Sequence, residues 1–455
     1  MCRVGKFLGK TNISYSNDDR KPYIRCNPNQ TLYMETNDTK SGRRSIYPWV
    51  VVGLLWGVAL LNYMDRQMLS TMRNAMEVDI TELQSAANFG RLMAIFLWIY
   101  GLVSPVAGAV ADRISRKWLI VTSLFVWSAV TFGMGYADTF NQLYFLRAVM
   151  GVSEALYIPA GLAMIADWHR DRSRSLAVGI HMTGLYTGQA IGGFGATVAA
   201  AFTWHTTFHW FGIIGMAYAL ILVVFLHENK EAVISRRLNR MAANGKSLSI
   251  KPLLKGFGLL LSNVAFWVIL FYFAAPSLPG WATKNWLPTL FSDSLGIPMS
   301  QAGPIATISI AVSSFIGVIV GGIMSDRWVR RNLRGRIYTG AIGLGLTIPS
   351  LLLLGFSHSL AGIVGAGLLF GVGYGMFDAN NMPILCQFVS DRYRATAYGI
   401  MNMIGVFAGA AVTNALGKWT DGGDLGAGFA WLSVIVAVAI AIQLKFLHPK
   451  TDNMV

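Results

Sequence analysis

Charge is what this chain has least of. Only 13% of its 455 residues are Asp, Glu, Lys or Arg, and just 22 residues are acidic. Soluble domains carry nearer a quarter, so composition excludes an ordinary water-soluble protein. Cysteine is as sparse: Cys2, Cys26 and Cys386 show no metal or redox spacing, which leaves no disulfide framework or zinc site to build. There is no His/Asp/Glu ligand cluster, no Ser–His constellation and no long polar domain, so neither an enzyme nor a cofactor is expected. A cleavable signal is also missing, because the first 45 residues are polar.

What remains is apolar. Hydrophobic residues make up 54% of the chain, and its mean hydropathy is +0.48. A hydrocarbon core of ~30 Å needs about 20 apolar residues per helix. Twelve such stretches occur, at 47–70, 87–111, 118–137, 142–167, 175–201, 208–227, 263–291, 302–324, 337–356, 360–389, 395–417 and 427–447. The fold class is therefore an all-α polytopic membrane protein of twelve transmembrane helices. Its organisation reads as a disordered basic tail (1–46), a six-helix half (47–227), a basic linker (228–262), a second six-helix half (263–447) and a short C-terminal tail (448–455). Met34 opens a compact alternative start, METNDTKSGRRSIYPWV, which would leave the first 33 residues upstream of it. The 48 glycines suit close helix packing, and the GxxxG spacings at Gly184/Gly188/Gly192 and Gly405/Gly409 read as packing seams.

The net charge of +15 is a topology signal. Thirty-one of the 37 lysines and arginines lie in the termini or in alternate loops, 112–117, 168–174, 228–262, 325–336 and 390–394. By the positive-inside bias both termini and the central loop are cytoplasmic, and no nucleic-acid partner is implied. The glycosylation-type triplets at Asn12, Asn29 and Asn37 then go unused.

The two halves repeat each other. DRSRSLAVGI (171–180) and DRYRATAYGI (391–400) agree at six of ten positions, Glu154 and Pro159 match Asp378 and Pro383, and Gly108-x-x-x-Asp112-Arg113 matches Gly322-x-x-x-Asp326-Arg327. Parallel repeats of this kind are how secondary transporters set a substrate site between two halves near mid-membrane. Pro159 and Pro383 should kink the fourth and tenth helices.

Ionisable groups at bilayer depth cost several kcal/mol, roughly 2.5–3.5 on insertion scales, so each needs a reason. The first helix carries Asp65-Arg66 within LLNYMDRQML; the fourth carries Arg147 and Glu154, seven residues and nearly two turns apart, hence on one face. An ion-pair network joining the two helices is the structural alternative, but a buried pair stabilises poorly. The repeat argues further against it. Pro288 and Thr289 stand opposite Asp65 and Arg66, and Gly371 opposite Arg147, so the scaffold manages without these charges. Two arginines suit an anionic substrate, and carboxylates beside them suit a proton carrier. Lys284 on the seventh helix and Asp378, Asn380 and Asn381 on the tenth are second-half candidates, with Tyr63, Tyr157 and Asn402 as further polar contacts. His181 and Gln189 on the fifth helix read as packing. Asp112, Arg113, Arg116, Asp326 and Arg327 lie in loops and should form charge latches away from substrate.

GAVADRISRK (108–117), echoed by GGIMSDR (321–327), resembles the loop signature of the major facilitator superfamily. The likeness covers the chain after residue 46. NYMDR (62–66), Arg147-x6-Glu154 and WLP (286–288) resemble the anion:cation symporter family, relatives of aldonate and hexuronate permeases and of vesicular glutamate and sialic acid carriers. That resemblance implies proton-coupled symport of a sugar acid across a plasma membrane (a bacterial inner membrane), by a monomer whose partners are a small organic anion, protons and the lipid bilayer. Arg66 and Arg147 would hold the carboxylate; Asp65 and Glu154, with Asp378 as a third candidate, would carry protons. Spinster-type transporters share the DR pair and the fourth-helix Arg/Glu, which leaves export of an amphipathic anion such as a lysophospholipid as the alternative.

Overall fold

Every regular element is a helix in the computed structural model, which describes residues 46–111, 114–169, 171–242, 258, 260–262, 264–389 and 394–449. The chain divides into residues 1–46 and 47–455, and the helices belong to the second unit. Twelve membrane segments follow: α1 (Tyr47–Thr71), α2 (Ala86–Ala111), α3 (Arg116–Met134), α4 (Phe140–Ala155 and Tyr157–Trp168), α5 (Asp171–Gly192 and Gly195–Ala201) and α6 (Trp204–Phe225). The second half supplies α7 (Val264–Leu295), α8 (Met299–Val329), α9 (Gly335–Phe356), α10 (Leu360–Asp378 and Asn381–Phe388), α11 (Arg394–Asp421) and α12 (Leu425–Phe446). Among the described residues eleven helices are long and apolar enough to cross a membrane. The remaining segment, α5, falls short because it carries His181, Thr183, Thr187 and Gln189.

Two of the proline-bearing helices, α4 and α10, break a few residues before their proline. A proline ring clashes with the carbonyl four residues back and removes its hydrogen-bond donor. Pro159 and Pro383 act in this way on Ala155 and Ala379, and α4 and α10 are interrupted at Leu156 and at Ala379–Asn380. Glu154 and Asp378 thereby end up at the last turns before matching breaks.

Glycine decides how closely α5 approaches α1. A Cβ on Gly184 would lie 2.7 Å from the Trp56 carbonyl oxygen, and one on Gly188 would collide with that of Leu60. One turn apart on each helix, these contacts form a ladder that only hydrogen side chains permit.

The halves meet where α2 packs on α11 and α5 on α8. Their polar contacts concentrate at the end where α1 finishes. Asp421, the last residue of α11, caps the start of α2: its carboxylate accepts Ala86 N at 2.6 Å, Ala87 N at 3.0 Å and Ser85 Oγ at 2.8 Å. Thr197 Oγ1 donates to the Ser300 carbonyl at 2.7 Å, and Gln67 Nε2 to that of Lys284 at 2.9 Å. Losing a helix cap costs about 0.5–2 kcal/mol, so Asp421→Ala should weaken the α2–α11 contact at this end by up to roughly 30-fold. Spin-label distances across the α2–α11 contact would show it; an unchanged distribution would deny Asp421 this role.

Three boundaries depart from the sequence reading. Asp326 and Arg327 lie in the final turn of α8 and Arg116 at the first position of α3, not in loops, because both helices run past their apolar cores into polar residues. Part of the 228–262 linker is helical, Lys230–Ala242, with charged residues around an apolar stripe. Asp112 and Arg113 lie outside the described residues, as do the tail up to residue 45 and residues 450–455.

Candidate functional site

The four charges of α1 and α4 converge. Glu154, fully buried, accepts Arg66 Nε at 2.6 Å and Asn62 Nδ2 at 2.9 Å through one oxygen. Its other oxygen, Oε1, has no partner, nor do Arg66 Nη2, Arg147 Nε and Asn62 Oδ1. Arg147, only 3% exposed, spends Nη1 on the Met150 sulfur at 3.2 Å, and its charge is felt by Glu154, Asp65 and Arg66. Asp65 is buried with the Thr131 hydroxyl 3.4 Å away.

Aromatic rings hold the arginines without neutralising them. Arg66 Cζ lies 5.1 Å from the Tyr63 ring centroid and 4.8 Å from those of Phe96 and Tyr100; Arg147 Cζ lies 4.6 Å from Phe96. Such contacts stabilise a cation by about 0.5–2 kcal/mol and leave its N–H donors available. Sequence reasoning missed Phe96 and Tyr100. Their four-residue spacing on α2 puts them on one face, a signal that is readable but common in any apolar helix.

A buried donor or acceptor without a partner costs about 1–3 kcal/mol. Several in one cluster mark a place where oxygen atoms or protons of a ligand complete the bonding.

The sequence profile of the Major Facilitator Superfamily matches residues 55–413. The chain belongs to that family. This transporter is 24% identical over 400 residues to the probable galactarate/D-glucarate transporter GarP of Escherichia coli (strain K12), covering 82% of its own chain and 88% of the relative. It is 25% identical over 324 residues to the hexuronate transporter of Bacillus subtilis (strain 168), covering 70% and 74%. Among solved structures, the inward-facing, occupied form of a bacterial homologue of the human lysosomal transporter Spinster shares its fold, with a TM-score of 0.71 at 18% identity over 89% of this chain and 97% of that one. It is therefore a multi-pass membrane transporter and not an enzyme.

The second half of this transporter faces the cluster with charges of its own. Half-buried Lys284 sits over the Trp281 and Tyr63 rings, at 4.7 and 5.8 Å from their centroids. Asp378, exposed at the break in α10, accepts Asn381 Nδ2 at 3.1 Å and lies within electrostatic reach of Lys284 and of Tyr63 in the other half. Asn380 is buried, with Nδ2 on the Met376 carbonyl and Oδ1 unpartnered. Asn402 Nδ2 reaches Ser104 Oγ at 3.3 Å, joining α11 to α2.

Tyr157 stands apart from this group. Its hydroxyl bonds the Leu55 carbonyl at 2.9 Å and His181 Nε2 at 2.8 Å, which ties α4 to α1 and α5 and leaves little for a substrate. Gln189, also on α5, is buried.

The charged ends of the helices build latches inside each half. Arg116 Nη1 lies 2.5 Å from Asp167 Oδ2, and Arg236 of the linker helix pairs with Asp167 at 3.5 Å and with Glu228 at 3.0 Å. Asp326 meets Arg336 at 3.7 Å, while Arg327 is exposed.

Proposed function

We propose that this transporter carries a small sugar acid together with protons by alternating access, with Arg66 and Arg147 holding the carboxylate and Asp65 and Glu154 carrying protons. The supporting observation is the half-satisfied pair at the centre: Arg66 Nε is taken by Glu154 at 2.6 Å while Nη2 is unpartnered. A guanidinium presents a planar fork of donors that matches one carboxylate. Glu154 and the substrate carboxylate therefore compete for one cation. Two charged carboxylates beside it in a low-dielectric site are costly, and a proton on Glu154 removes the conflict. Substrate and proton are linked in this way, and binding tightens as pH falls. The substrates named for the relatives, galactarate, D-glucarate and hexuronate, are organic acid anions of this kind.

Tyr63, Lys284, Asn380 and Asn402 complete the substrate contacts, Asp378 is a third proton site, and Tyr157 keeps a packing role. Arg116, Asp326 and Arg327 shape the ends of the helices that move. The transporter works as a monomer, with both termini and the 228–262 segment cytoplasmic and no cofactor. The end where Asp421 joins α11 to α2 is then the outer one. Export of a lysophospholipid needs an apolar path for its acyl chain, and the ionisable groups on both walls speak against it.

Purified protein in liposomes should accumulate glucuronate, galactonate or galactarate on an imposed inward proton gradient. Lack of uptake with all three would end the sugar-acid reading. A cysteine introduced at Arg240 should resist an impermeant reagent applied to intact cells, and labelling from outside would reverse the topology.

A further inference from the structure

We propose that this transporter selects diacids: Lys284 takes a second carboxylate of a substrate whose first is held by Arg66, so that one molecule bridges the two halves. The inference rests on the sugar-acid reading and deepens it.

Tyr63 carries the argument. Its ring lies 5.1 Å from Arg66 Cζ on one side of the interface between halves and 5.8 Å from Lys284 Nζ on the other. The two cations can be no further apart than the sum of those distances. A chain of a few carbons bearing a carboxylate at each end has that reach, at about 1.5 Å per carbon–carbon bond.

Lys284 is also free to bind. No carboxylate comes within 4 Å of its Nζ among the described residues, and it is held by the rings of Trp281 and Tyr63. An ammonium at bilayer depth that is caged by rings and not ion-paired keeps strong donors for an incoming anion. Asp378 influences Lys284 only from a distance, and its Oδ1 is occupied by Asn381.

The charge balance points the same way. Arg66, Arg147 and Lys284 are offset by Asp65, Glu154 and Asp378, three against three. If two of those carboxylates take protons, two positive charges are left, which is the complement of a dianion. A monoacid would leave one of them uncompensated in a low-dielectric site.

Placement adds a mechanical consequence. The Lys284 backbone carbonyl already accepts Gln67 of α1 at 2.9 Å, so α7 is docked on α1 beside the site. A substrate bound to Arg66 at one end and Lys284 at the other would fasten the same two helices from within.

Galactarate and galactonate form a matched pair that differs only at one terminus, carboxylate against hydroxymethyl. Calorimetric affinities for both should be measured on purified wild type, Lys284→Gln and Lys284→Arg. Wild type is expected to prefer galactarate by roughly 10- to 100-fold, the worth of a charge-assisted hydrogen bond. Lys284→Gln should bring that ratio towards one, and Lys284→Arg should restore most of it. A wild-type ratio near one overturns the proposal even if the glutamine variant fails to fold, and so does a ratio unchanged in a folded Lys284→Gln. Failure of wild type to bind either acid would sink the sugar-acid reading itself, a result distinct from both.

Discussion

Replacing Arg66 with alanine should abolish measurable binding of the acid substrate. The guanidinium lies against three aromatic rings and Glu154, so its removal takes out the less deeply buried of the two arginines in the first-half cluster. Substrate entering that site would face a buried carboxylate with its counter-charge gone. Truncating one partner of a buried charge pair costs about 2–5 kcal/mol, a loss on the order of 30- to 5,000-fold in affinity. Arg66→Lys should recover only part of this, because an ammonium is a point charge and cannot serve Glu154 and a substrate through one planar fork. Arg147→Ala should also weaken binding severely, although its 3% exposure means that Arg147 must shift off Met150 to reach a substrate. Isothermal calorimetry on each purified variant gives the answer. Near-normal affinity in Arg66→Ala would return that arginine to an ion-pair network holding α1 to α4.

Glu154→Gln should separate exchange from accumulation. Glutamine keeps the size of a protonated glutamate and can still accept from Asn62 and Arg66, but it has no proton to release. Arg66 then has no charged competitor, so affinity should rise and lose much of its pH dependence. Counterflow of substrate in proteoliposomes without a pH gradient should continue, while uptake driven by an inward proton gradient should collapse to the level of equilibration. Asp65→Asn is the weaker test, since Asp65 adjoins Arg66 in the chain and a misplaced arginine gives a similar loss. If the Glu154 variant still concentrates substrate on a gradient, the coupling proton rides on Asp65 or Asp378.

The helix count and the positions of the kinks are legible because each rests on local chemistry. Apolar runs of sufficient length must be helices at bilayer depth, since every backbone polar group has to be satisfied within its own segment. Pro159 and Pro383 disturb the carbonyls four residues earlier whatever surrounds them. Helix ends are less legible. Asp326 and Arg327 look like loop residues by polarity, yet α8 carries them in its final turn, where the Asp326–Arg336 pair joins it to α9. The linker hides a helix for the same reason: its Arg236 pairs with Asp167 of α4, some 70 residues earlier in the chain.

The candidate site divides along the same line. Sequence alone supplied Asp65, Arg66, Arg147 and Glu154, because ionisable side chains inside apolar runs stand out without knowledge of any neighbour. It also supplied Lys284 and Asp378 by their place in the second half. Tertiary structure alone decided that Glu154 pairs with Arg66 and not with Arg147, that Phe96 lies against both arginines, and that the Tyr157 hydroxyl is tied to Leu55 and His181. It alone set Tyr63 within 6 Å of both Arg66 and Lys284. The physical reason is range: burial cost and helix breaking act on a residue through its own segment, whereas partnership at 3–6 Å depends on how helices from distant parts of the chain are turned and packed.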